Sequence, residues 1–106
     1  MAQGTNSHLR GKVLLICPVR NESQYVESLI LSIQKQTHTN WSIVFFDNYS
    51  SDNTVALIKE FALRDSRILI EEFQSTVPIN TNFNRAIEIS ISKYVSDYVG
   101  FIGGDD

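Results

Sequence analysis

Short continuous apolar runs alternate along the chain with amphipathic stretches. Val13, Leu14, Leu15, Ile16 and Cys17 form one run, partly β-branched and closed by Pro18, the pattern of a strand covered on both faces in a parallel sheet and ended by the proline. After a polar loop, residues 18–22, Ser23 stands where it can cap a helix. The apolar positions of that helix, Val26, Leu29, Ile30 and Ile33, recur at helical spacing, and the helix should fade near Gln36 and Thr37. Ile43, Val44, Phe45 and Phe46 read as a second buried strand. Residues 47–53 are rich in Asp, Asn and Ser, which predicts a turn and a helix cap supplied by Asn48, Ser50 or Ser51, with one of the serines capping in any case. Val55, Ile58, Phe61 and Ala62 mark the second helix, and residues 67–70 a third strand. Phe83, Ala86, Ile87, Ser90, Ile91 and Tyr94 line one face of a third helix, and residues 98–102 make a fourth strand.

The order β-α-β-α-β-α-β predicts an α/β fold of three layers, α/β/α, around a mainly parallel four-stranded sheet. Right-handed crossovers then place helices on both faces and all strand carboxyl ends on one edge. Ligands of such sheets bind at that edge. Three polar segments fall there because each follows a strand: residues 18–22, 47–51 and 103–106.

Composition narrows the function classes. With 106 residues, 42% of them apolar and 20% charged, the chain can build one small domain around one core. Residues 1–11 are polar and without period and read as a loose leader; residues 12–106 are the domain. The net charge is -3 and the nine Lys and Arg are scattered singly, so there is no basic stripe for a nucleic-acid backbone. No apolar run approaches the ~20 residues of a membrane span, and no basic-then-apolar leader opens the chain, which leads to the expectation of a soluble, cytoplasmic protein. Cys17 is the only cysteine, so no internal disulfide can form, and a lone thiol in an apolar run reads as a small buried hydrophobe. Neither a Walker loop nor a GxGxxG occurs, which disfavours ordinary ATP and dinucleotide sites.

Asp105 and Asp106 follow a strand and two glycines, where the backbone can turn and a ligand approach. Adjacent carboxylates repel, and Mg2+ or Mn2+ relieves the repulsion while filling its shell with water and substrate phosphates. The other reading of such a pair is a solvated turn. Asp47 and Asn48 close the second strand, where either could hydrogen-bond the edge of a base or serve the cap of the next helix. Asp52, in the first helical turn, suits the helix dipole better than a ligand. Arg20 could reach a phosphate or remain a solvated charge, and Arg85 is similarly placed on the third helix; His8 and His38 have no partner at ligand spacing.

Four blocks together resemble the family 2 inverting glycosyltransferases in order and spacing. They are residues 13–22 with Pro18 and Asn21, the pair Gln36-Thr37, residues 46–54 around Asp47 and Asn48, and residues 98–106 ending on Asp105 and Asp106. The resemblance covers residues 12–106. It implies a Rossmann-like GT-A fold and the donor-binding part of an enzyme that transfers a sugar, with inversion, from a nucleoside-diphosphate sugar to an acceptor hydroxyl. By the same resemblance Asp105 and Asp106 hold a divalent metal, Mn2+ or Mg2+. Pro18, Val19, Arg20, Asn21 and Glu22 wall the nucleotide, Asp47 and Asn48 lie at the base, and Asn84 matches a recurrent helix residue near the diphosphate. A UDP-sugar is the favoured donor, and a glycan or lipid-linked sugar the acceptor, in cell-surface polysaccharide synthesis, with the longer protein cytoplasmic or peripheral at the inner face of the membrane.

Two positions depart from the family pattern: Asn48 replaces its second turn Asp, and Gly103 the leading Asp of its acidic motif. The family's general base lies after that motif, so no catalytic residue is expected within this chain, and the gene product is expected to continue past Asp106. A fourth strand left as an open edge would favour self-association. A non-catalytic nucleotide-binding or interaction module on the same fold is the alternative function. A flavodoxin-like or receiver-like domain would instead carry its acidic cluster after the first strand.

Overall fold

The computed structural model describes residues 11–103, and in them the alternation of the sequence becomes seven elements. They are β1 (Val13–Val19), α1 (Ser23–Gln34), β2 (Trp41–Asp47), α2 (Thr54–Arg64), β3 (Ile68–Glu72), α3 (Ile79–Lys93) and β4 (Tyr98–Phe101). The strands form one sheet in the order β3-β2-β1-β4, with every pairing parallel. The crossover β3-α3-β4 carries the chain past β2 and β1 to the opposite edge, so the order reverses beside β1, where an open α/β sheet forms its ligand crevice.

Side-chain alternation divides the core in two. Cys17 and Val19 of β1 and Trp41, Ile43 and Phe45 of β2 face α1 and α2, meeting Val26, Ile30, Ile33 and Ile58. Leu14, Ile16, Val44 and Phe46 point the other way, onto Ala86 of α3. Helices therefore cover both faces, giving the three-layer α/β/α arrangement expected from the sequence. β2, central and covered twice, has all seven residues buried. Cys17 is fully buried, and burial with the nearby Glu22 charge pushes its thiol up to about 12, so it packs as a small hydrophobe.

Several local expectations are corrected. β1 does not stop at Pro18: that residue sits in register with Phe46, and the strand runs on to Val19. The reason is directional. Ile16 uses its carbonyl toward β4, accepting from Ile102 N, while Val19 accepts from Asn48 on the β2 side. Two residues beyond Ile16, the missing N–H of Pro18 faces the β4 side, where the β1–β4 register has already ended at Ile16–Phe101. Ser23 is not the cap of α1; Glu22 holds that position without a side-chain capping bond. Nor does a serine cap α2, whose N-cap is Asn53, again without a side-chain bond. The α3 face is rotated from the expected one: Asn82, Ala86 and Ser90 are buried, whereas Ile91 is 76% exposed and Phe83 opens outward. A polar Asn82 can lie inward because its Nδ2 donates to the Phe46 carbonyl and its Oδ1 accepts from Arg85.

Candidate functional site

A pocket of about 570 Å3 opens at the carboxyl ends of β1 and β4, beside the first turns of α3. Pro18, Val19, Arg20 and Glu22 form its β1 wall, and Asn48 closes the side below β2. Ile79, Asn80, Asn82 and Phe83 come from α3, and Phe101, Ile102 and Gly103 from the exit of β4. The Phe83 and Phe101 rings pack at 5.3 Å with a tilt of 45°, so this wall is aromatic and partly open to water. Tyr25 of α1 donates its hydroxyl to the Gly103 carbonyl at 2.6 Å, which holds the end of β4 against the β1–α1 side of the pocket. Asp105 and Asp106, the residues expected as metal ligands, lie outside the described residues; among the described ones no group of three His, Cys, Asp or Glu is placed to hold a metal.

The polar residues singled out in the sequence divide into those that face the pocket and those that brace it. Asn48 does both. Its Nδ2 donates to the Val77 carbonyl at 2.7 Å, while its Oδ1 accepts from Val77 N at 2.9 Å and from Arg85 Nη2 at 3.2 Å. An Asn fits here where an Asp would not, because the Val77 carbonyl requires a donor. Arg85 lies over the Phe73 ring with its guanidinium carbon 3.3 Å from the centroid, bonds Asn82 as well as Asn48, and is pulled below its usual pKa by burial. Among the described residues it has no carboxylate partner within ion-pair distance. A guanidinium behind two pocket-lining asparagines gives this wall a positive background. Arg20 adds an exposed cation at the rim.

Asp47 and Asn21 do not line the pocket. The Asp47 carboxylate is buried in a turn, accepting from Ser50 N at 2.9 Å and Ser50 Oγ at 2.5 Å. Asn21 adopts a left-handed backbone, φ 54°, and turns its Oδ1 toward α2, where it accepts from Ser51 N at 2.8 Å and Asp52 N at 3.2 Å. Asp52 does not stand in the first turn of α2, as expected from the sequence, but one residue before the N-cap Asn53, where it accepts from Thr54 N and so still serves the helix start. Asn84 is exposed and outside the lining, while Asn80 and Asn82 of the same helix lie within it. The pocket residues that sequence reasoning misses are Ile79, Asn80, Asn82, Phe83, Phe101 and Ile102. One signal for them exists: Phe83 falls in the second turn of α3 and Phe101 closes β4, the two elements whose ends meet β1 at the switch point.

The chain matches the model of Glycosyl transferase family 2 over residues 14–106. It is 27% identical to a putative teichuronic acid biosynthesis glycosyltransferase of Bacillus subtilis, TuaG, over 89% of this chain and 36% of that protein. It is 32% identical to the glycosyltransferase GlyA of Streptococcus pneumoniae, over 90% of this chain and 13% of that one. A UDP-Glc:alpha-D-GlcNAc-diphosphoundecaprenol beta-1,3-glucosyltransferase of Escherichia coli, WfgD, is 30% identical over 89% of this chain and 35% of its own length. Thus the chain spans about a third or less of each of these relatives. Among solved structures, the mannosyltransferase PcManGT of Pyrobaculum calidifontis, in complex with GDP-Man and Mn2+, superposes with a TM-score of 0.66 at 20% identity, covering 85% of this chain and 26% of that one. That likeness establishes the GT-A fold, and the family match over nearly the whole described chain establishes the rest: this protein belongs to glycosyl transferase family 2.

Proposed function

We propose that residues 12–106 form the donor-binding part of an inverting glycosyltransferase, taking a nucleoside-diphosphate sugar, a UDP-sugar by preference, into the pocket beside β1. The observation that carries this reading is the pocket itself. It lies at the point where strand order reverses, between the β1 loop and the exit of β4, and its rim leads through Gly103 to Asp105 and Asp106 in the sequence. The donor set suits a hard divalent ion, since two carboxylates supply oxygen ligands and a diphosphate would complete the shell. When bound, such an ion neutralises the charge that develops on the departing nucleotide. The residues of the chain do the remaining work: Pro18, Val19, Arg20 and Glu22 wall the nucleotide, Arg20 and the Arg85 background favour its anionic part, and the Phe83–Phe101 pair offers ring faces on one side.

Relatives named for teichuronic acid biosynthesis and for a diphosphoundecaprenol-linked acceptor support a cell-surface glycan or lipid-linked sugar as acceptor; work in the cytoplasm or at the inner membrane face is proposed alongside it. The base that takes the acceptor proton is proposed to lie after Asp106, so residues 1–106 should bind donor without turning it over. The alternative, a nucleotide-binding module without catalysis, draws on Asn48, whose oxygen is committed to Val77 and Arg85, and on Gly103. Calorimetric titration with UDP and with GDP, each with and without Mn2+, tests the donor site. Metal-dependent binding abolished by Asp105→Ala is the expected result; binding indifferent to metal and to Asp105 would refute the metal-assisted donor site. Turnover by a chain extended past Asp106 separates enzyme from module.

A further inference from the structure

The polar residues of the β1–α1 and β2–α2 loops close into one hydrogen-bonded circuit. Asn21 N donates to Ser50 Oγ at 2.9 Å, and Ser50 in turn donates its hydroxyl and its amide to the Asp47 carboxylate. Asn21 Oδ1 takes the amides of Ser51 and Asp52; Asp52 takes the amide and hydroxyl of Thr54. Thr54 Oγ1 closes the ring by accepting from Glu22 N at 3.0 Å. The amides of Ser51 and Asp52 are thus satisfied from another loop, through a residue 30 positions away, while those of Ser50 and Thr54 find local acceptors in Asp47 and Asp52.

The backbone agrees with this account. Among the described residues only Asn21 and Tyr49 have positive φ without being glycine, 54° and 62°, and they stand on the two loops the circuit joins. Asn tolerates that region and Tyr does not, so the local structure imposes the conformation. Such conformations persist where neighbours over-determine them, commonly at ligand clamps. Neither Asn21 nor Asp47 lines the pocket, yet Arg20 and Glu22 on either side of Asn21, and Asn48 directly after Asp47, do.

From this geometry we infer that Asn21 is the positioning residue of the pocket: its side chain locks the β1 loop to the start of α2, so that Arg20 and Glu22 keep a fixed spacing from Asn48. The inference rests on the donor-site reading for what the pocket binds, and on the circuit alone for how its wall is held. A structural brace would register in stability; a positioning residue registers in the coupling of the two loops and in ligand affinity.

Two variants distinguish these. Asn21→Gly keeps the left-handed backbone and removes the acceptor; Asn21→Asp keeps both. Amide hydrogen exchange on the 106-residue chain is read first. Asn21→Gly should accelerate exchange at Ser51 and Asp52 and, in the same step, at Glu22, whose amide Asn21 does not touch, while α3 amides stay as protected as in the wild type. Asn21→Asp should restore protection at all three. Acceleration confined to Ser51 and Asp52 would overturn the inference.

Titration with UDP or GDP in the presence of Mn2+ is the second arm. Asn21→Gly should weaken binding by about tenfold, and Asn21→Asp should return affinity to within about fivefold of the wild type. Unchanged affinity in Asn21→Gly would equally overturn it. If the wild-type chain binds neither nucleotide, the donor-site reading fails for this chain, and the exchange arm alone decides whether Asn21 couples the loops.

Discussion

β2 and β4 flank β1 on its two sides, both parallel to it in the same sheet, and differ in almost everything else. β2 pairs along seven residues and is buried throughout; β4 pairs along four and leaves Tyr98, Val99 and Phe101 at least half exposed. Beyond β2, the chain enters a loop tied to its neighbour by a network of side-chain hydrogen bonds, whereas the exit of β4 is held at the Gly103 carbonyl by Tyr25. The pocket lies between a rigid polar wall and an open apolar one. For the proposed nucleotide donor the first would supply hydrogen-bonding groups, and the second ring faces and room to adjust.

The largest test of that contrast is a pair of truncations. Phe45→Ala empties a fully buried site at the centre of the sheet and should destabilise the chain by about 3–5 kcal/mol, a large part of the roughly 5–15 kcal/mol typical of a domain. Phe101→Ala removes a ring that water already reaches and should cost no more than about 1 kcal/mol. Urea unfolding followed by circular dichroism measures both. Equal losses would mean that the β4 side is as tightly packed as the β2 side, and the division into closed and open walls would fail.

How far the chain can be read in advance follows the same division. Continuous apolar runs such as residues 43–46 announce doubly covered strands without ambiguity, so element order, parallel pairing and three layers are legible. Side-chain directions in polar loops are not. Asp, Asn and Ser in residues 47–53 suggest local capping, but the acceptor that serves Ser51 and Asp52 is Asn21, and a partner 30 residues away leaves no trace in local composition. The α3 face is misread because hydrophobic periodicity favours Phe83 and Ile91 over Asn82, whose burial depends on Phe46 and Arg85. For the site, proximity to strand ends finds Pro18, Val19, Arg20, Glu22 and Asn48, and misses the residues α3 brings in by crossing the sheet.

The closed wall can be weakened from within. Asn48→Ala strips the Val77 amide and carbonyl of their side-chain partners and Arg85 of one acceptor, and should cost about 1–3 kcal/mol. Asn48→Asp keeps the acceptor for Val77 N and Arg85 but sets a carboxylate oxygen against the Val77 carbonyl, so its loss should fall between wild type and Asn48→Ala. Thermal unfolding of the three proteins gives the order. If Asn48→Asp proved at least as stable as wild type, the Val77 carbonyl would not require its donor.

A smaller effect comes from the start of β3, beside the amino end of β2 and so at the end of the sheet away from the pocket. Hydrogen bonds from Arg67 hold the Asp65 carboxyl well below its ordinary value of 3.8, with Gln34 adding another, and Arg67 itself lies 3.9 Å over the Trp41 ring. A carboxyl whose folded pKa is depressed stabilises the fold above its unfolded value, so this contribution is complete near neutrality and declines as pH falls below about 4. Asp65→Asn should therefore lower stability at pH 7 by at most about 1 kcal/mol and flatten the acid limb of the stability profile. An unchanged slope between about pH 4 and pH 2 would remove Asp65 from the account.

Tyr49 offers the smallest change and the one whose sign is most informative. Its φ of 62° is unfavourable for a side chain with a Cβ, by roughly 1–2 kcal/mol, and its ring is half exposed, so little packing rewards the conformation. Glycine relieves that strain but adds freedom to the unfolded chain worth about 0.4–1 kcal/mol. The difference predicts that Tyr49→Gly stabilises by about 0.5 kcal/mol, within reach of a careful denaturation midpoint. A gain would mean that strain is stored on the rigid wall and held there by the Asn21 circuit. A loss would mean that the Tyr49 ring makes contacts worth more than its strain, and the closed wall would then owe part of its rigidity to an aromatic side chain and not to hydrogen bonds alone.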